Sequence, residues 1–177
     1  MLSDLLVAYL TRHPDERATV RRFLDLLAQH PNCFHRDCWA GHITASAWIV
    51  DSAGERVMLT HHRKLDRWLQ PGGHSDGDPD SLAVALREVE EETGLDVRPF
   101  SRALFDIDIH SIPAHGSDPD HAHFDARFAL VSRDTVYTVS DESHDLAWVS
   151  LDRLRDYTDE ESVLRMARKW RSLAGAE

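Results

Sequence analysis

The segment REVEEETGL, residues 87–95, constrains the fold of this chain more than any other stretch. It places four glutamates in five positions, and because each helical residue advances by about 100°, Glu88, Glu91 and Glu92 fall on one helix face. Like charges at this spacing cost about 0.2–0.5 kcal/mol per pair when nothing neutralises them. The pattern therefore predicts either a solvated acidic face or a site where carboxylates bind a hard divalent cation.

The residues around the acidic segment predict a helix between two loops. Asp78 followed by Pro79 is typical of an N-cap and a first helical residue, and Gly94 is typical of a helix end. Upstream, Gly72 and Gly73 permit a sharp turn that leaves backbone carbonyls accessible to a metal. An apolar stripe beside the acidic face indicates that the helix packs on a sheet, and it consists of Leu82, Leu86 and Val89.

The rest of the chain predicts helices near both ends and runs of strands before and after the acidic helix. Two short amphipathic helices are predicted first, followed by a hairpin with HITASAWIVD and RVMLTHH as strands and SAGE as the turn. After the acidic helix, strands are predicted at ALFDIDIH, HFDARFALVS, TVYTVS and LAWVSLD, and a closing helix carries an apolar stripe at Val163, Met166, Ala167 and Trp170. Runs of strands around one central helix predict an α+β domain in which a sheet packs on helices.

Length, charge and cysteine content narrow the class of protein. The 177 residues suit one domain with a modest appendage, and the formal net charge of −11 disfavours long nucleic acid as a partner unless cations intervene. The apolar start MLSDLLVAYL is too short to span a bilayer, so we expect a cytoplasmic protein without a membrane partner. Cys33 and Cys38 are expected to be reduced thiols, although a zinc site with His35 and His42 is the alternative.

Together these residues resemble the Nudix box. Its pattern is a glycine, five residues, a glutamate, seven residues, and then Arg-Glu-apolar-any-Glu-Glu-any-Gly-apolar. REVEEETGL fits the second half at every position, and Gly73 stands at the distance of the first glycine. Pro79 stands where the first glutamate is expected, which leaves open whether Asp76 or Asp78 takes that role.

The resemblance to the Nudix family implies a fold and a division of the chain. The expected fold is α+β, a Nudix-like α/β/α sandwich with a mixed sheet and a short N-terminal helical extension. Residues 1–38 would form the extension and residues 39–177 the Nudix hydrolase domain. The extension would cover the cleft, mediate a homodimer or pad the sheet, and the sequence does not separate these roles.

The resemblance also implies a chemistry. Nudix hydrolases cleave a diphosphate linkage in a nucleoside diphosphate joined to a further group, with Mg²⁺ or Mn²⁺ as cofactor and more than one ion expected during turnover. The implied metal ligands are Glu88, Glu91, Glu92 and the carbonyl of Gly72, and Arg87 would orient the helix acids. The base is expected to be Glu142, with Asp145 second, or else Glu91 or Glu92.

Several residues outside the box are candidates for binding a small nucleotide-type substrate: Arg63, Lys64, Arg67, His74 and Arg127. Alternation along two predicted strands places Asp106, Asp108 and His110 on one face and His121, His123, Asp125 and Arg127 on another. If the strands pair, these residues form a polar strip, either on the outer face of the sheet or as a wall of the substrate cleft. The sequence does not decide between the two positions.

Two other functions share the expected fold. A Nudix-like sensor would bind a nucleotide without cutting it, but such a protein is expected to lack a helix glutamate, and all three are present. An enzyme similar to isopentenyl diphosphate isomerase would use a cysteine, and both cysteines precede the first core strand. The sequence therefore favours a hydrolase and leaves its substrate undetermined.

Overall fold

The computed structural model describes residues 1–141 and 143–174, and it contains four α-helices and eight strands within them. The helices are α1 (Leu2–Arg12), α2 (Arg17–Gln29), α3 (Ser81–Thr93) and α4 (Glu161–Ala174). The strands are β1 (His42–Val50), β2 (Arg56–His62), β3 (Arg67–Leu69), β4 (Gly72–His74), β5 (Val97–Pro99), β6 (Asp106–Ile112), β7 (His121–Ser132) and β8 (Ser143–Ser150). Short 3₁₀ helices span Pro14–Glu16 and Leu151–Asp156.

The strands belong to a mixed sheet accompanied by helices, and α1 and α2 form an N-terminal helical extension. Both features confirm the predicted fold class. The chain clusters into two compact units, and β1, β4, β7 and α3 each contribute residues to both. No helix in the described part of the chain is long and apolar enough to cross a membrane.

The first unit contains Met1–Ser46, Gly73–Ala85 and Arg102–Phe128. Here α1 and α2 pack together, and α2 contacts β6. The ring of Phe23 on α2 meets Phe124 on β7 edge to face at 5.1 Å, and Arg12 on α1 donates a hydrogen bond to the carbonyl of Leu104 at 2.8 Å. The N-terminal helices therefore share a core with strand residues of this unit.

The second unit contains Ala47–Gly72, Leu86–Ser101 and the chain from Ala129 to the end of the described residues. Strand β2 pairs antiparallel with β1, β3 and β8, with Val50 opposite Val57 in the predicted hairpin. Strand β5 pairs antiparallel with the last residues of β7. The indole of Trp170 on α4 donates a hydrogen bond to the carbonyl of Gly54 in the hairpin turn at 2.9 Å.

Two boundaries differ from the sequence prediction. Helix α3 begins at Ser81 rather than Pro79, and Asp80 is its cap, since the Asp80 carboxylate accepts the N–H of Ala83 at 3.2 Å. Asp78 instead accepts the N–H of Asp80 at 2.9 Å, in the turn before the helix. The predicted loop at Gly72 and Gly73 is part of a short strand, β4.

The predicted strand TVYTVS, residues 135–140, is wrong, because this segment has no strand structure. Its backbone forms hydrogen bonds with groups that do not belong to a neighbouring strand segment paired with it. The N–H of Thr138 bonds to the carbonyl of Thr93 at the end of α3 at 2.8 Å, and the carbonyl of Thr135 accepts the indole N–H of Trp148 at 3.1 Å. The segment is therefore a connection that runs past the end of α3.

Candidate active site

The acidic end of α3 forms a pocket lined by Glu88, Glu91, Glu92 and Ser140. The Glu92 side chain is buried, Glu88 is half-buried, and the Glu91 side chain is 63% exposed. Glu90 is exposed and is not part of this lining. The structure thus brings together the three glutamates that helical spacing placed on one face.

Glu92 is held in place by the backbone of β4. The N–H of Gly72 donates a hydrogen bond to Glu92 Oε1 at 2.8 Å. A buried carboxylate needs such a donor, because leaving it unpaired carries a desolvation penalty. Gly72 therefore contacts the acidic cluster through its N–H, and the predicted role of its carbonyl as a metal ligand stays a prediction.

Arg87 lies against the cluster. Its terminal nitrogen contacts Glu88 Oε1 at 2.9 Å, and its Nε lies 3.9 Å from Glu91 Oε1. Carboxylates this close repel each other, and a bound cation would relieve that repulsion. Arg87 contacts two of the three helix acids, and its predicted orienting role stays a prediction.

The end of α3 fixes a fourth lining residue. Gly94 has a φ of +66° and its N–H bonds to the carbonyl of Glu90 at 2.9 Å, which ends the helix at the predicted position. The bond from Thr138 to Thr93 anchors the following segment there, and Ser140 in that segment lines the pocket. Sequence reasoning missed Ser140 because it treated residues 135–140 as a strand.

The predicted base and the predicted basic substrate contacts lie outside the lining of the glutamate pocket or outside the described residues. Glu142 lies outside the described residues. Asp145 on β8 accepts the N–H of Leu146 at 2.8 Å and is exposed. Arg63 donates to the carbonyl of Ser143 at 2.9 Å, Arg67 pairs with Glu160 at 2.5 Å, and Lys64 is exposed. Among the described residues, the lining of the glutamate pocket includes none of these side chains.

The polar strip on β6 and β7 exists, since the two strands pair antiparallel with Asp106 opposite Arg127 and His110 opposite His123. Part of this strip is not an outer sheet face, because three of its residues are at most 3% exposed: Asp106, Asp125 and Arg127. The Arg127 guanidinium contacts three carboxylates of the strip, those of Asp106, Asp108 and Asp125. Arg127 is thus engaged in buried ion pairs, and its predicted role in substrate binding stays a prediction.

Two further predicted positions lie before the acidic helix. Asp76 is engaged by Arg36 in a two-pronged ion pair with both N–O distances at 2.7 Å. Asp78 forms the turn described above. Neither contact decides which of them takes the place of the first glutamate of the box.

The cysteine segment does not form the four-ligand zinc set considered from the sequence. Cys33 and Cys38 are free and buried, and burial raises the pKa of both thiols, that of Cys33 to about 11. His42 instead lies beside His74 and His123. Sequence reasoning singled out His74 but missed its association with His42, although polar His42, Thr44 and Ser46 alternate with apolar residues along β1.

Comparison with known proteins identifies the family of this chain. The family profile of the NUDIX domain matches residues 41–169. The m7GpppN-mRNA hydrolase NUDT17 of Danio rerio is 38% identical over 58 residues, 30% of this chain and 19% of that protein. The matched stretch therefore spans about a fifth of that curated relative.

Solved structures share the fold. A NUDIX-family hydrolase from Clostridium perfringens has a TM-score of 0.55 at 24% identity, over 75% of this chain and 97% of that one. A C. elegans Ap4A hydrolase has a TM-score of 0.54 at 18% identity, over 76% of this chain and 98% of that one. Because the NUDIX profile covers most of the chain, the protein belongs to the Nudix family, as its sequence predicted.

Proposed function

We propose that this protein is a metal-dependent pyrophosphohydrolase that cleaves a diphosphate linkage in a nucleoside diphosphate joined to a further group. The observation that carries the proposal is the convergence of Glu88, Glu91 and Glu92 on one pocket at the end of α3. The NUDIX match over residues 41–169 supports it, because the matched region includes this helix.

The donor set of the pocket fits Mg²⁺ or Mn²⁺. Its side chains offer carboxylate oxygens, with a serine hydroxyl at Ser140, and hard divalent cations prefer such oxygens. Glu88, Glu91 and Glu92 would hold the metal, and the exposure of Glu91 leaves room for water and substrate oxygens. When bound, the metal would offset diphosphate charge and lower the pKa of an attacking water.

The protein groups have separable roles in this proposal. Glu92, fixed by the Gly72 N–H, sets the position of the site, and Arg87 restrains Glu88 by direct contact. Glu91 is the exposed member and is able to accept a proton at Oε1 or Oε2. Burial of both cysteines, with raised thiol pKa values, gives no support to the isomerase alternative, which needs a reactive cysteine.

The substrate is a small nucleotide-type compound in this proposal. One similar protein is named for the mRNA cap m7GpppN and another for Ap4A, so both compounds belong in a test panel. Nucleoside triphosphates, sugar nucleotides, ADP-ribose and coenzyme A complete it. The two reduced, buried cysteines agree with a cytoplasmic setting.

The test measures product release from this panel with Mg²⁺ or Mn²⁺ and with a chelator. We expect Glu91→Gln to lower kcat by about 100-fold or more, since general acid–base and metal contributions are of that size. Its thermal midpoint should be unchanged or slightly higher, because one member of a repelling cluster is removed.

Glu90→Gln is the matched control. It removes the same charge one residue away, on a side chain outside the pocket lining, and should keep the wild-type kcat. Equal losses in the two variants would show a general charge effect and sink the metal assignment. If wild type binds a panel nucleotide without cutting any, the protein is a nucleotide sensor instead.

A further inference from the structure

Three histidines from three strands converge in the first unit. His42 is the first residue of β1, His74 is the last residue of β4, and His123 lies near the start of β7. One ring nitrogen from each lies within 4.8 Å of the other two. The ring centroids are 5.1 Å apart for His42 and His74, 4.7 Å for His42 and His123, and 5.0 Å for His74 and His123.

His42 is buried in an unusual way for a histidine. It is 2% exposed, and neither ring nitrogen forms a hydrogen bond of regular geometry within the described residues, although the ring interacts with the backbone of Cys38. A buried imidazole ordinarily satisfies both nitrogens, because it carries one donor and one acceptor that lose water on folding. A cation between the three rings would satisfy the acceptor nitrogen of His42.

The backbone fixes the three positions. Gly41, with a φ of +131°, has no Cβ, and a Cβ there would lie 2.6 Å from the ring of Phe124. Glycine thus allows the chain to reach His42 close against the strand that carries His123. His74 and His123 are half-buried, so an ion has access to the cluster from their side.

We propose that His42, His74 and His123 form a binding site for a borderline divalent cation of the Zn²⁺ class, separate in chemistry from the glutamate pocket. Three imidazoles without a carboxylate favour Zn²⁺, Co²⁺, Ni²⁺ or Cu²⁺ over Mg²⁺, which prefers oxygen ligands. Nitrogens about 2.0–2.1 Å from a tetrahedral Zn²⁺ are about 3.3 Å apart. The ring nitrogens now lie within 4.8 Å of one another, so the side chains would have to move closer together for one ion to bind all three.

Zn²⁺ binding by the full chain tests the proposal directly. The protein is treated with chelator, dialysed, and titrated with Zn²⁺ in competition with a chromogenic chelator, in the presence of excess Mg²⁺. We expect one tight Zn²⁺ per chain. The same stoichiometry is expected in Glu91→Gln, because the glutamate pocket does not supply the ligands.

His74→Gln and His61→Gln form a matched pair. Both remove a half-buried imidazole, but His61 stacks on Trp68 in the second unit, outside the cluster. His74→Gln should weaken Zn²⁺ binding by more than about 100-fold, since even groups that only orient a ligand contribute about 10–100-fold. His61→Gln should bind like wild type, and circular dichroism shows whether each variant is folded.

Substitution with Co²⁺ identifies the ligands. Visible absorption typical of tetrahedral nitrogen coordination, without a thiolate charge-transfer band, supports the histidine site. A thiolate band would assign the ion to Cys33 or Cys38 and overturn the proposal. It is also overturned if wild type binds no Zn²⁺, or if folded His74→Gln binds as tightly as wild type. These measurements use no substrate, so they stand apart from the outcome of the hydrolysis assay.

Discussion

Arg127 is a buried cation in contact with three carboxylates. Its guanidinium is 2% exposed and contacts Asp125 at 2.7 Å, Asp106 at 3.2 Å and Asp108 at 3.4 Å. Asp125 also accepts the hydroxyls of Thr44 and Ser46 at 3.2 and 2.7 Å. One cation therefore neutralises several carboxylates that would otherwise be buried together, at a large desolvation cost.

We expect Arg127→Met to lower the free energy of unfolding by about 3–5 kcal/mol, because the buried carboxylates lose their counter-charge. Arg133→Met is the comparison, since Arg133 lies just after β7 and forms an exposed pair with Asp96 at 3.1 Å. That change should cost less than about 1 kcal/mol. Urea unfolding followed by circular dichroism measures both, and similar small losses would show that the buried cluster contributes little.

For these side chains, the sequence predicted which residues come together but not how far they are buried. Strand alternation placed Asp106 and Asp108 on one face and His123 and Arg127 on another, and the observed register brings those faces together. Alternation has no information about what covers a face, so the burial of Arg127 was not predicted. The sequence also did not predict that His42 lies beside His74 and His123, because these residues are far apart along the chain.

Helix α3 is the element that carries the proposed active site, and its start is set by Asp80. The Asp80 carboxylate accepts the N–H of Ala83, and the Asp80 carbonyl accepts the N–H of Val84 at 3.0 Å, which is the first helical bond. Aspartate two residues earlier and proline at position 79 gave a plausible but incorrect start. Local residue preferences allow several starts, and the cap geometry selects one.

Asp80→Ala should destabilise the protein by about 1 kcal/mol, the usual loss when an aspartate cap is removed. Asp80→Asn should be close to neutral, because asparagine caps a helix about as well. Asp78→Ala should cost less than Asp80→Ala, since Asp78 accepts only the turn N–H of Asp80. Thermal unfolding of the three variants ranks them, and a larger loss for Asp78→Ala would move the cap to that residue.

Longer elements were predicted more accurately than short ones. The hairpin of β1 and β2, the long strand β7 and the end of α3 at Gly94 all carry a pattern several residues long or a specific stop signal. Strands β3, β4 and β5 have three residues each, too few for a periodic signal. The segment at residues 135–140 has strand-like composition, but its backbone bonds to the end of α3 instead.

For the whole molecule, the dominant property is a net charge of −11. The proposed substrates are also anionic, so they are repelled by the protein unless bound cations offset the negative charge of the glutamate pocket. A small nucleotide presents its few phosphates at one place, where bound metal offsets them. A long RNA presents phosphates along its whole length, and most of them would face uncompensated negative charge.

We therefore expect a cap dinucleotide to be a better substrate than a capped RNA of about 30 nucleotides, because a long backbone is repelled by an acidic protein. The distinguishing measurement is kcat/KM for both compounds at increasing KCl with Mg²⁺ held in excess. Added salt screens repulsion as it screens attraction, so kcat/KM for the RNA should rise with salt while that for the dinucleotide changes little. Proteins that bind RNA through basic surfaces lose affinity as salt increases. A fall in kcat/KM for the RNA alone would therefore reveal a local basic surface that the net charge conceals, and would return long RNA to the set of substrates.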